Sequence, residues 1–193
     1  MSSRQIKLPP VVLASASPRR AELLRRMGVA FRVAPAAIVE SAPAYLSPAE
    51  IAMTNAYRKA CAAARRHPNR LVLGADTVVS LGRLSLGKPV DMSEARRMLA
   101  RPQGKTHFVI TGICLIHGRT RRQRLFAVHT AVTFRRLNRI GINRYLAGIN
   151  PLDKAGGYAI QESGDQIVKS IQGSFSNVVG LPVERLRKEL AGW

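Results

Sequence analysis

An aspartate inside an apolar strand is the first residue of this chain that calls for chemistry. LVLGADTVVSL (71–81) is a β-branched apolar run with Asp76 as its one acid. A carboxylate there is costly unless it is paired, bound to metal or kept protonated. Thr77 and its apolar neighbours point to a strand edge opening on a cleft, which makes Asp76 the leading catalytic candidate. An ion pair to a lysine purely for packing is the competing reading. Glu40, in the otherwise apolar AAIVES, could complete an oxygen-ligand set with Asp76 for a hard cation such as magnesium or manganese; locally it also reads as an exposed loop acid.

Cations suited to an anion come next. Ser17-Pro18-Arg19-Arg20 opens a helix, so unpaired N–H groups and the positive dipole end lie beside two guanidinium groups. A phosphate fits there, and so does an ordinary capped helix with solvated arginines. Lysine is scarce, seven against 24 arginines, and Lys59, Lys88, Lys105 and Lys154 stand out as compact point charges for a tight phosphate site. No P-loop and no GxSxG elbow is present, which argues against a Walker-type ATPase and a serine hydrolase.

Positioning these groups takes alternating strands and helices. PVVLASA (10–16) reads as a buried strand, followed by a helix from Pro18 to Gly28 with Ser17 as N-cap. Residues 30–39 read as extended. Ser47-Pro48-Ala49-Glu50 is a capping box for a helix reaching Arg66. The 71–81 strand turns at Gly82-Arg83 into a short return strand before Lys88. Asp91 and Glu94 form a second capping box, for a helix to about Arg101. Strands at 106–117 and 124–136 flank the turn 118–122, and Asn138 caps a helix ending near Gly148. The glycine-rich 150–161 segment reads as a functional loop. A helix at 164–171, a turn at 173–177, a strand-like VVGL and a helix from Pro182 complete the chain. The fold class is therefore α/β with a mixed sheet, as one domain over 1–193.

Composition narrows the function classes. Hydrophobic residues make up 46% of the chain, enough for a packed core. Cys61 and Cys114 have no zinc-ligand spacing and read as free thiols in a reducing compartment. The N-terminal apolar run is too short for a signal peptide or membrane span, so a cytoplasmic location is expected. The formal charge of +20 makes polyanions plausible partners, but the arginines are spread along the chain in pairs and read mostly as solvated faces. A non-catalytic nucleic-acid-binding protein is the alternative from another class. With no aromatic cluster inside a basic run, single-strand stacking is disfavoured as its main task.

Taken together, LASASPRRAELLRRMG, GADTVVSLGRLSLGKP, GKTHFVITG, DKAGGYAIQ and GSFSNVVGLP resemble the Maf family of nucleoside triphosphate pyrophosphatases, over about residues 11–186. The resemblance implies a two-lobed α/β fold related to inosine triphosphate pyrophosphatases, a cleft between the lobes, a divalent metal and a homodimer. It assigns Asp76 as general base or metal ligand, Glu40 as the acid sharing the metal, and Arg19, Arg20, Lys59 and Lys88 as phosphate-binding. Ser15, Ser17 and Lys154 join the substrate site, and Arg19, Thr77 and Gln161 match positions linked to base selection.

ADTVV with DKAGGYAIQ is similar to the members acting on dTTP and UTP; the same chemistry on 7-methyl-GTP or another modified nucleotide is the alternative. The family carries an association with nucleotide-pool sanitation and division arrest. Three positions depart from its pattern: Val39 precedes Glu40 where an acidic approach is usual, Glu162 stands for a glycine, and Asn150 replaces a frequent acid. They bear on metal and substrate preference.

Overall fold

A computed structural model describes residues 8–193. Met1 to Lys7, part of the segment read above for targeting, lie outside the described residues. One seven-stranded mixed sheet runs through the structure. Its strands are β1 (Val11–Leu13), β2 (Phe31–Val33), β3 (Leu71–Leu81), β4 (Leu84–Leu86), β5 (Thr106–His117), β6 (Gln123–Phe134) and β7 (Val168–Gln172). The order is β2-β1-β3-β5-β6-β7, with β4 on β3. β2, β1 and the start of β3 are parallel; all other pairs are antiparallel.

The pairing of β3 is uneven, and the site depends on it. On one side β5 follows it from Leu71 to Ser80. On the other, β1 pairs only Leu71, Val72 and Leu73, and β4 only Val79, Ser80 and Leu81. Residues 74–78 therefore face a notch with no strand partner on that side. Asp76 and Thr77 sit in it. Because side chains alternate along a strand, the two point to opposite faces of the sheet, and the notch lets groups from both faces reach one space.

The helices are α1 (Pro18–Arg26), α2 (Pro48–Arg66), α3 (Met92–Ala100), α4 (Arg139–Ala147), α5 (Gly164–Ile167), α6 (Phe175–Val179) and α7 (Val183–Ala191). α2 covers one face alone. Its capping box is complete: Glu50 N donates to Ser47 Oγ, and Ser47 N donates to the Glu50 carboxylate. Its buried stripe is mostly alanine, which lets the helix lie close on the sheet. Gly74 and Gly112 lie directly beneath it, and a Cβ on either would overlap the α2 backbone at Ala56 and Ala52 respectively.

The opposite face is covered in two parts. Leu73, Ala75, Ile113 and Leu115 pack with Leu24, Leu186 and Leu190 of α1 and α7, whereas Val79, Val109, Val132 and Phe134 pack with Leu99, Ile142 and Tyr145 of α3 and α4. These are two lobes on one sheet with the cleft between them.

Several local expectations are corrected. The first strand covers 11–13 of the expected 10–16, and only Phe31–Val33 of the 30–39 segment pairs. The expected helix at 164–171 stops at Ile167, and Val168–Gln172 becomes the edge strand β7 because β6 offers it a ladder. Residues 173–181 hold a helix in place of a turn and strand: Ser174 Oγ accepts from Asn177 N and starts α6. The second capping box is half formed, since Asp91 Oδ1 accepts from Glu94 N while the Glu94 carboxylate takes Val90 N.

Candidate active site

Helix α2 delivers Asn55 and Lys59, one turn apart on its buried face, under Asp76. The Lys59 ammonium lies 2.7 Å from Asp76 Oδ1, 2.6 Å from Glu40 Oε1 and 3.5 Å from the Ala75 carbonyl. Its three protons are all engaged. Lys59 is thereby the cation that lets two carboxylates share one place. Asn55 Nδ2 donates to Asp76 Oδ2 at 3.2 Å and to the Ser41 carbonyl at 3.0 Å, and Asn55 Oδ1 accepts from Ser41 N at 3.1 Å. One amide thus holds the segment carrying Glu40 in register with β3. Burial opposes the charge on Glu40, but Lys59, with Lys88 and Arg20 behind it, keeps its carboxyl below the usual range.

From the other face comes Arg20, buried without a carboxylate contact. Its guanidinium donates to Gly180 O at 2.9 Å, Ser15 Oγ at 2.9 Å and Thr77 Oγ1 at 3.0 Å. Two of its five N–H groups have no partner among the described residues. Burial lowers its pKa, and the fields of Asp76 and Glu40 act against that. The Thr77 hydroxyl proton can be placed. Thr111 Oγ1 donates to Asn177 O at 3.0 Å, so in the 3.1 Å Thr77–Thr111 contact Thr77 is the donor. Thr77 therefore serves Arg20 as an acceptor and has no proton left for a ligand.

The cleft, open to solvent, is lined by Ser17, Arg19, Arg20, Glu40, Lys59, Asp76, Thr77, Lys88, Asp153, Lys154 and Gln161 among others. Every expected site residue borders it except Ser15, which lies behind Arg20 and on the adjoining recess at the start of α1. Ser17 Oγ caps α1, accepting from Arg20 N at 3.4 Å. Arg19 is paired with Asp153 at 3.0 Å. Lys154 is buried, and its protons go to Asn150 O at 2.7 Å, Asp153 at 2.9 Å and Glu162 at 3.4 Å. Asn150 and Glu162, two of the departures from the family pattern, thus meet at Lys154. Lys88 and Gln161 are exposed, with no hydrogen-bond partner among the described residues, and face the cleft free.

Gln161 follows the Gly156-Gly157 loop, behind which stand residues that carry no expected role. Gly156 and Gly157 both have φ above +70°, and Tyr158 follows. Its hydroxyl lies 2.7 Å from His107 Nε2. Tyr145 OH donates to Ala159 O at 2.8 Å and accepts from Ala159 N at 2.9 Å. His107, Phe134 and Tyr158 pack edge to face, and burial pushes the His107 pKa down to about 4, so the ring is neutral. Asn55, which sequence reading also passed over, had a signal: with Lys59 it breaks an alanine stripe at a spacing of four. His107 and the tyrosines had none, because their partners are remote in sequence.

Two carboxylates meeting at one ammonium are a donor set into which a hard divalent cation fits. No cluster of three or more His, Cys, Asp or Glu side chains that could cage a metal occurs among the described residues. Glu40 and Asp76 would hold such an ion by one or two carboxylate bonds and leave its other positions to water and ligand oxygens, the habit of magnesium.

A mixed sheet with a two-faced notch, paired acids and free cations defines an α/β fold built around an anion-accepting cleft. Two solved structures share the fold: a HAM1 protein from Coxiella burnetii (TM-score 0.56, 15% identity, covering 96% of this chain and all of that one) and the Staphylococcus aureus Ham1 protein (TM-score 0.52, 12% identity, 95% and 98%). Residues 10–193 match the family model described as Maf-like protein, and the chain belongs to that family. It is 43% identical over 185 residues to an Akkermansia muciniphila protein named dTTP/UTP pyrophosphatase, covering 96% of this chain and 97% of the relative. A Bacillus mycoides protein of the same name is 45% identical over 180 residues, 93% of each.

Proposed function

We propose that this chain hydrolyses dTTP and UTP to the nucleoside monophosphate and pyrophosphate. The observation that carries the reading is the convergence of Asp76 and Glu40 on Lys59 beside a buried Arg20 with unused donors. Full-length relatives that bear the same activity in their names support it.

Water attacks the α-phosphorus, the bond to the α–β bridging oxygen breaks, and pyrophosphate leaves with the charge. Asp76, fixed at both oxygens by Lys59 and Asn55, orients the water and accepts its proton. Lys59 keeps the two acids together and ionised. Arg20, with Lys88, faces the phosphates with free N–H donors, so the growing negative charge meets groups already in place. A divalent cation held by Glu40 and Asp76 would supply further neutralisation of the phosphate oxygens. Lys154, its protons committed, acts on Asp153 and through it on Arg19. Gln161 presents both an acceptor and donors to the imide edge shared by uracil and thymine. A cytoplasmic homodimer working on the nucleotide pool belongs to the same reading and rests on the family resemblance.

The test is pyrophosphate release from dTTP, UTP, CTP, ATP, GTP and 7-methyl-GTP with magnesium or manganese. dTTP and UTP should be turned over well above the rest, and Gln161→Ala should erode that preference by roughly tenfold while leaving phosphate chemistry nearly intact. Faster turnover of 7-methyl-GTP overturns the base assignment. No turnover of any triphosphate overturns the enzyme.

A further inference from the structure

From Ala95 to Leu152 the chain has no acidic residue, yet it carries eleven arginines and one lysine. The fold gathers many of these cations at the end of the sheet where β5 begins and β6 ends. α3 packs on α4, and Arg96 Nε donates to Asn143 Oδ1 at 3.0 Å across that contact. The turn after α3 is bound to the segment after β6: Leu137 N donates to Gln103 Oε1 at 2.6 Å, Gly104 N to Arg135 O at 3.3 Å and Phe134 N to Lys105 O at 3.0 Å. The Arg136 side chain lies over Gly104. These ties bring the segments carrying Arg96, Arg101, Lys105, Arg135, Arg136 and Arg144 together at this end of the sheet, all six exposed, with Arg135 Nε donating to Asp165 O at 3.0 Å. None lies within 4 Å of a carboxylate among the described residues. None lines the catalytic cleft.

We infer that this α3–α4 face is a docking surface for the phosphate backbone of double-stranded nucleic acid. A single small anion leaves most of such a cluster unneutralised. A duplex offers about one charge per ~1.7 Å of axis counted over both strands, so a row of phosphates can face the six cations together. The cations are mainly guanidinium groups, whose planar fork suits phosphate oxygens. A second copy of this chain, with 11 acids against 31 basic residues, has too few acids to neutralise this face, whatever other surface joins a homodimer. Insertion into a bilayer needs apolar side chains, and among the described residues Phe108 and Ile140 are the large exposed ones near the face. Two such residues also make no stacking platform, so recognition is of the backbone and independent of sequence.

The experiment is fluorescence anisotropy of a labelled 24-base-pair DNA duplex, titrated with the full chain at several salt concentrations. A face variant, Arg101→Gln/Arg135→Gln/Arg136→Gln, is compared with a charge-matched control at exposed positions elsewhere, Arg65→Gln/Arg119→Gln/Arg121→Gln. The face variant is expected to bind at least about tenfold more weakly, with a salt slope shallower by roughly two to three, and the control less than about threefold more weakly. Thermal unfolding and triphosphate hydrolysis should match the parent in both, which shows that each variant is folded. Equal losses in the two variants would mean net charge alone attracts the duplex and would overturn the assignment. So would binding to phosphatidylglycerol vesicles without binding to the duplex.

Discussion

The cleft and the α3–α4 face hold the same kinds of cation and treat them in opposite ways. In the cleft Lys59 and Lys154 have every proton engaged and Arg20 has three of its bonds made, Lys59 by acids from two other segments and Lys154 partly by acids of its own loop. On the α3–α4 face no cation has a carboxylate neighbour among the described residues. Burial accounts for the contrast. A desolvated charge must be matched where it stands, whereas a solvated one can wait for a partner and contributes little to stability meanwhile. A position's charge thus says little until its depth is known.

Breaking the buried set should have the largest effects. Asp76→Asn keeps the shape of the side chain but removes the group proposed to take the proton; kcat should fall by about 10³-fold or more while the thermal midpoint stays within a few degrees, as checked by pyrophosphate release and calorimetry. Activity within a few-fold of the parent would remove Asp76 from the mechanism. Lys59→Met leaves Asp76 and Glu40 facing each other without their cation, and urea unfolding at neutral pH should show a loss of about 3–5 kcal/mol. A loss under 1 kcal/mol would mean the acids are solvated and the contrast with the surface is false.

His107 sharpens the comparison, for it is a buried base that has given up its charge. Its folded pKa of about 4 lies below the unfolded value near 6.5, so the unfolded chain takes up a proton first as the pH falls. The group's contribution is complete above pH ~6.5 and is lost towards pH ~4, to the extent of about 3 kcal/mol. His107→Gln should flatten that part of the stability profile relative to the parent, and parallel profiles would contradict it. The smallest effect belongs to the surface: Arg101→Gln should change unfolding free energy by no more than about 0.5 kcal/mol.

Much of this was legible along the chain, and particular residues show why the rest was not. Local chemistry is written locally: the Ser47 box starts α2, Pro18 follows the Ser17 cap, and Asp76 breaks an apolar run. Segments decided by neighbours elsewhere were misread. β7 exists because β6 accepts it, and α6 because Asn177, fully buried, bonds Val109 O and Thr130 Oγ1 on two different strands. In the site, residue types marked the candidates, and proton accounting shows which of their donors are already engaged. Lys59 and Lys154, which read as phosphate candidates by type, have their protons on acids and carbonyls, while Lys88 has no hydrogen-bond partner among the described residues.

Gly74 and Gly112 act as a gauge block under α2. The depth at which Lys59 and Asn55 meet Asp76 is set by two missing methyl groups, one on each neighbouring strand, against which the helix backbone rests. Gly112 is the cross-strand partner of Asp76, and neither glycine carries charge. Yet a side chain at either would lift the helix and both of its polar groups together, and a displacement of about 1 Å at a reacting centre is worth about a hundredfold in rate. The tolerance of the chemistry is machined into the sheet, in a dimension where no catalytic group is altered.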